Sequence, residues 1–175
     1  MQPPALTTGA ARTLGAAACD RDPFDDGRAL QDRLATQCFG CGALNTRGLQ
    51  IKSRWHDDAF VCVWQPGPEH IGHPGWVYGG TIASVVDCHA VWAALSAHCR
   101  DAGHDLRSGA PPFAVVTAAL QVRYLAPARI ARPLELSARI VQHGARKSLV
   151  ACSVRQGSLV CATAEVVAVR VEDVR

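Results

Sequence analysis

"TIASVVDCHAVWAALSAHCR", residues 81–100, decides the fold. Drawn as a helix, it carries apolar side chains on every side. Such a helix either spans a membrane or is surrounded by protein. Asp87, His89 and His98 make a membrane span costly, and the rest of the chain is rich in strand patterns. The helix, from Thr81 to about Arg100, is therefore predicted to lie inside a sheet. Asp87 then needs a reason to be there, because a carboxylate in an apolar helix is expensive unless it is hydrogen-bonded or used in chemistry.

Upstream of the helix, "LQIKSRWH" (49–56) puts Leu49, Ile51, Ser53 and Trp55 on one face. Asp57-Asp58 makes a turn and "AFVCVWQ" (59–65) returns, which predicts a hairpin. "RALQDRLATQ" (28–37) reads as a short helix with Leu30 and Leu34 at i, i+4, and "CFGCGALNTRG" (38–48) as a glycine-rich loop. A Gly- and Pro-rich loop covers 66–80, and another covers 101–112. Four strands are predicted at 113–125, 134–143, 148–156 and 159–170, as a meander. Residues 1–27 read as a flexible N-terminal tail, and 28–175 as a single domain. The expected class is α+β, an antiparallel sheet of about six strands wrapped around one long central helix. That is the hotdog architecture.

At 175 residues, 49% hydrophobic and 19% charged, the chain suits one soluble globular domain. A net charge of +3 is too small to argue for nucleic acid, and no membrane partner is expected. Eight cysteines could form disulfides, but several sit in apolar strands or helix, and no secretory signal is visible at the start. A reducing cytoplasm is the expected compartment.

Gly79 and Gly80 open the helix. A helix start offers unpaired N–H groups and a partial positive charge, and glycine lets a ligand approach them closely. That suits a carbonyl oxygen on which negative charge develops, although a simple tight turn would use the same doublet. Asp87 lies ~12 Å further along the axis. It cannot share a carbonyl with Gly79 of its own chain, whereas two antiparallel copies of the helix would bring them together. Thr117 sits mid-strand, sharing a face with Val115, Ala119, Gln121 and Arg123 under strict alternation. Tyr78 offers a hydroxyl or a packed ring. His70 and His73 have metal-like spacing without a third ligand and read as pocket-rim residues. His89 falls on nearly the opposite side of the helix from Asp87. Cys38-x-x-Cys41 is a lone half-site, a weak zinc signal without a second pair, and no thioredoxin-like βαβ context supports redox work. Arg146 and Lys147, in a hairpin turn, are either solvated or available to phosphates.

Three stretches together resemble the hotdog-fold acyl thioesterases, in the subgroup of phenylacetate-pathway and human acyl-CoA thioesterase relatives: "CFGCGALNTRGL", "HPGWVYGGTIASVVD" and "TAALQVRYLAPAR". The likeness spans about residues 38–170. It implies hydrolysis of an acyl-CoA or acyl-carrier-protein thioester without metal or cofactor, in a homodimer or dimer of dimers. It assigns Asp87 as nucleophile or general base, Thr117 as a hydroxyl that positions water, and Gly79, with Gly80 and Tyr78 beside it, as the carbonyl-binding side. For such a substrate, the turn residues Arg146 and Lys147 are candidate contacts to the phosphates of coenzyme A, with a solvated turn as the commoner explanation. The chain departs from the family in carrying Tyr78 where His precedes the Gly pair, and Gly72 where some relatives carry Asn. The competing readings are a silent or weakly active thioester-binding protein and a hotdog hydratase.

Overall fold

In a computed structural model, which describes residues 28–172, one helix, α1 (Gly79–Asp101), runs through the concavity of a six-stranded sheet. The strands of that sheet are β1 (Ser53–His56), β2 (Ala59–Trp64), β5 (Phe113–Tyr124), β6 (Leu134–His143), β7 (Lys147–Gln156) and β8 (Leu159–Glu172). A separate two-stranded ribbon, β3 (Ile71–His73) with β4 (Trp76–Val77), lies in the loop before the helix. All pairings are antiparallel. The expected tail, residues 1–27, lies outside the described residues.

The apolar surround of α1 is met by protein. Val85, Val86, Ala90, Ala93, Ala94 and Cys99 are fully buried, and α1 touches β2, β5, β6, β7 and β8. By length and composition alone α1 could cross a bilayer, but 72% of its most apolar stretch is buried inside the fold. The helix begins two residues earlier than predicted, because Gly79 and Gly80 themselves take helical geometry with Tyr78 as N-cap.

The hairpin forms as predicted, turning at Asp57, whose φ is 53°. Leu49, Ile51, Ser53 and Trp55 are all buried, yet β1 starts only at Ser53, because Gln50 takes φ 51° and breaks the extended run. The helix expected over 28–37 is only a 3-10 turn, Leu30–Arg33, after which Leu34 is extended. Gln31 turns inward there, and its Oε1 accepts from the Ser53 amide at 2.7 Å; that buried bond replaces a second helical turn.

Two expectations about the second half are corrected. The four strands are not a meander, since the sheet order is β1-β2-β6-β7-β8-β5. β5 pairs with β8 and forms one edge, and the chain then crosses to place β6 beside β2. This order encloses α1 between the two halves of the sheet. The crossing loop is pinned where Gln156 accepts from the Arg129 amide at 2.7 Å and donates to the Arg129 and Arg132 carbonyls.

Alternation along β5 is also not strict. Thr117 pairs with Ala168 and Ala119 with Val167, so Ala118 is a bulge. Phe113 and Val115 are buried before it, whereas after it Val122 packs on the core and Gln121 and Arg123 line a groove on the outer face. Thr117 therefore does not share a face with Ala119, Gln121 and Arg123.

Candidate functional site

The loop before α1 is fixed from two sides. Val77 N–H donates to the Ala128 carbonyl at 2.8 Å, and Ile130 N–H to Gly75 at 3.1 Å. The Arg129 guanidinium lies 4.2 Å over the Trp76 ring. Tyr78 N–H donates to the His70 carbonyl at 2.8 Å. Gly79 and Gly80 then start the helix, where the first amides have no intrahelical acceptor.

Tyr78 explains its own surroundings. A Cβ at Gly80 would lie 2.4 Å from the Tyr78 ring, and a Cβ at Gly72 would lie 2.8 Å from the Tyr78 Cα. At 72 no side chain fits against this backbone, and the Tyr78 side chain also packs close to that position. The ring is 58% exposed, and among the described residues its hydroxyl has no hydrogen-bond partner.

Tyr124, at the end of β5, was not singled out as a site residue in the sequence. Its hydroxyl donates to the Gly79 carbonyl at 2.8 Å, and its pKa is raised by burial and then by the neighbouring Tyr78 phenol. The Tyr-x-x-Pro pattern at 124–127 was the available signal.

Asp87 and Thr117 are brought together. The Thr117 hydroxyl donates to Asp87 Oδ1, and both residues are half-buried. Thr117 is the last residue before the Ala118 bulge, which ends the inward-facing odd-numbered run just where the hydroxyl meets the helix. Within one chain Gly79 is not beside this pair, because eight helical residues separate it from Asp87 by ~12 Å.

The other candidates do not contact the Asp87–Thr117 pair. His70 Nδ1 accepts from the Gly67 amide at 2.8 Å and its ring packs on Trp64, while His73 is exposed at the end of β3. Arg146 and Lys147 are exposed at the β6–β7 turn. That turn adjoins the far end of α1, where His143 meets Asp101 at 3.0 Å, ~21 Å along the axis from Asp87.

Two buried histidines serve the core. His89 faces away from Asp87, as predicted. Its Nε2 donates to the Phe60 carbonyl at 2.9 Å, leaving Nδ1 to accept from the Ser53 hydroxyl at 2.8 Å. Complete burial lowers its pKa to about 4. His98 meets Ser148 at 3.2 Å, in a chain that continues to His143 and Asp101. Ser148 is fully buried, so this Ser-His-Asp arrangement offers no exposed nucleophile.

The sequence also hid a thiol cluster. Cys88, on α1, meets Cys38 and Cys41 of the glycine-rich loop. A Cys88 hydrogen bond, the Trp92 indole and Lys52 draw the Cys41 thiol down to about 6 against the opposing effect of burial, while Cys88 is pushed up by Cys41 and by burial.

Residues 74–163 match the model of the thioesterase superfamily. A thioesterase superfamily protein from Shewanella loihica is 35% identical, over 72% of this chain and 95% of its own, with TM-score 0.57. The chain belongs to the thioesterase superfamily. Among solved structures, this thioesterase also shares its fold with a phenylacetic acid degradation-related protein of Ralstonia eutropha, which is 22% identical over 69% of this chain and 85% of its own, with TM-score 0.55. A protein from the E. coli phenylacetic acid degradation operon is 15% identical over 70% and 80%, with TM-score 0.57. A search of the curated proteins returned no match. The hotdog fold and the assignment as a thioester hydrolase thus agree with the sequence reading.

Proposed function

We propose that this thioesterase hydrolyses an acyl or aryl thioester of coenzyme A or of an acyl-carrier protein, as a homodimer or dimer of dimers in the cytoplasm, with Asp87 as nucleophile or general base. The observation that carries this reading is the Thr117–Asp87 hydrogen bond on a half-buried helix face. A carboxylate held by one hydroxyl keeps its other oxygen free to accept a proton from water or to attack the thioester carbon. In the base route, Asp87 takes a proton from water while the water oxygen bonds to the carbonyl carbon. The oxyanion formed is met by the N–H of Gly79 of a second copy, beside Gly80 and Tyr78. The carbon–sulfur bond then breaks, and the thiolate leaves with the proton held by Asp87.

The need for a second copy is supported by the edge of the sheet. β5 ends the strand order, and an edge strand offers a row of unpaired backbone groups. It carries Val116, Leu120 and Tyr124, with Leu125 just beyond its end, at 36–60% exposure. A partner packed there brings a second α1 toward the first. The acyl pocket is taken to close between copies, where the half-buried face of α1 and the exposed β5 edge meet a partner. Arg146 and Lys147 remain the proposed contacts for the phosphates of coenzyme A, with His70 and His73 at the rim. The cytoplasmic reading rests on the free state of all the described cysteines.

The test is release of free thiol from a panel of acyl-CoA, aryl-CoA and acyl-carrier-protein thioesters, with mass by light scattering on the same sample. Turnover of one class by a species of at least two chains supports the reading. A monomer that turns over substrate would remove Gly79 of the partner from the site.

A further inference from the structure

The Sγ atoms of Cys38, Cys41 and Cys88 all lie within 4.8 Å of one another, and those of Cys38 and Cys88 are 3.5 Å apart. Among the described residues this is the one group of potential ligands so arranged. We propose that the three thiols form a zinc site that clamps the glycine-rich loop to α1.

Tetrahedral zinc with sulfur at ~2.3 Å sets neighbouring sulfurs about 3.8 Å apart, within the spacing seen here. The loop is built to hold two of the ligands. Gly42 N–H donates to the Cys38 carbonyl at 2.8 Å, closing the turn around Cys38-x-x-Cys41. Leu49 and Ile51 donate to the Phe39 and Gly40 carbonyls at 2.7 and 3.1 Å, fixing the turn to the strand that follows. Both glycines of the turn are required. A Cβ at Gly40 would lie 2.4 Å from Cys88 Sγ, and one at Gly42 would lie 2.4 Å from the Cys38 amide nitrogen. The third ligand comes from the rigid central helix.

A supporting shell is also present. Trp92, one turn beyond Cys88, donates its indole N–H to Cys41 Sγ at 3.1 Å, the kind of outer hydrogen bond that orients a thiolate ligand. Lys52 lies close enough to favour the deprotonated sulfur electrostatically. Cys38 is exposed, so the fourth position opens to solvent and takes water. All three cysteines are free. Cysteines that merely fill a core would be buried together, whereas here one of the three reaches the surface. Binding is accompanied by loss of the remaining thiol protons to solvent. The metal would sit next to Asp87 in sequence and hold that stretch of helix against the loop; no step of hydrolysis passes through it.

The experiment uses the full chain, reduced and stripped with a chelator, then titrated with zinc chloride against a colorimetric zinc indicator. Cobalt(II) is added in a parallel sample. The expected result is one zinc per chain and a cobalt adduct with thiolate-to-cobalt charge-transfer absorption. Cys38→Ser and Cys88→Ser should each weaken zinc binding by at least ~100-fold, the upper end of what loss of a mere supporting contact costs. Cys161→Ala should leave it unchanged. Cys38 is exposed, so its variant should fold, and a metal-free melting curve checks this. Wild-type protein that takes up no stoichiometric zinc overturns the proposal. So does zinc bound equally well by a folded Cys38→Ser. Neither outcome depends on whether thioester turnover is found.

Discussion

Replacing Thr117 by Val asks whether the hydroxyl on Asp87 works in the reaction or only packs. Valine keeps the β-branched shape that suits a strand and removes only the donor to Asp87 Oδ1. A hydrogen bond to a charged group contributes about 1.5–3 kcal/mol. Asp87 is half-buried, so water replaces part of what is lost and the lower end applies. At ~1.4 kcal/mol per tenfold, the expected fall in kcat is roughly 10- to 30-fold. KM should change little, because the hydroxyl holds the carboxylate and not the acyl chain. Thr117→Ser restores the donor and should return most of the rate. The assay is steady-state thiol release on the best thioester of the panel, with a thermal melt of each variant. Thr117→Val at near wild-type kcat, or a loss that Ser does not rescue, would refute the reasoning.

Other outcomes follow from the same geometry. Tyr78→Phe keeps the ring over Gly72 and Gly80 and removes a hydroxyl without a partner, so turnover should be nearly unchanged; a loss of about 10²-fold, the scale of an oxyanion donor, would make that hydroxyl catalytic. Gly72→Ala forces a Cβ to 2.8 Å from the Tyr78 backbone and should destabilise the fold by about 1–3 kcal/mol in urea melts. His89 has its pKa depressed to about 4, below its unfolded value, so its contribution is present above the unfolded pKa and lost as pH falls. Stability should drop by about 2 kcal/mol between pH 7 and pH 5 through this group, and by about 3 kcal/mol near pH 4. Urea melts of wild type and His89→Gln across that range would show it as a flatter pH dependence in the variant. Light scattering at micromolar concentration should give a mass of at least twice 18.6 kDa.

The central helix was legible because it has no polar face, and the strands around it because their apolar residues alternate. Pairing order was not legible. Nothing local says that β5 lies beside β8 and not β6, since that depends on how the whole sheet packs against α1. The bulge at Ala118 was equally hidden, because "VVTAALQV" reads as an unbroken strand, and one unpaired residue turns Gln121 and Arg123 to the outer face. In the candidate site, Asp87 and the glycine pair stood out from the helix itself. Thr117 was carried only by family resemblance, because threonine in a strand is unremarkable by propensity. Tyr124 and Cys88 act across 45 and 50 residues of chain, and single-sequence spacing is blind to contacts of that range.

The account rests most on Asp87, and Asp87→Asn tests it directly. The amide keeps the size of the side chain and its acceptor for Thr117, but removes the charge and the basicity. Melting temperature and chain number should match wild type, and thioester should still bind. Turnover should fall by at least ~10²-fold, the scale of losing a general base, and further if Asp87 bonds covalently to the acyl group. Near wild-type turnover by a folded Asp87→Asn oligomer would contradict the account.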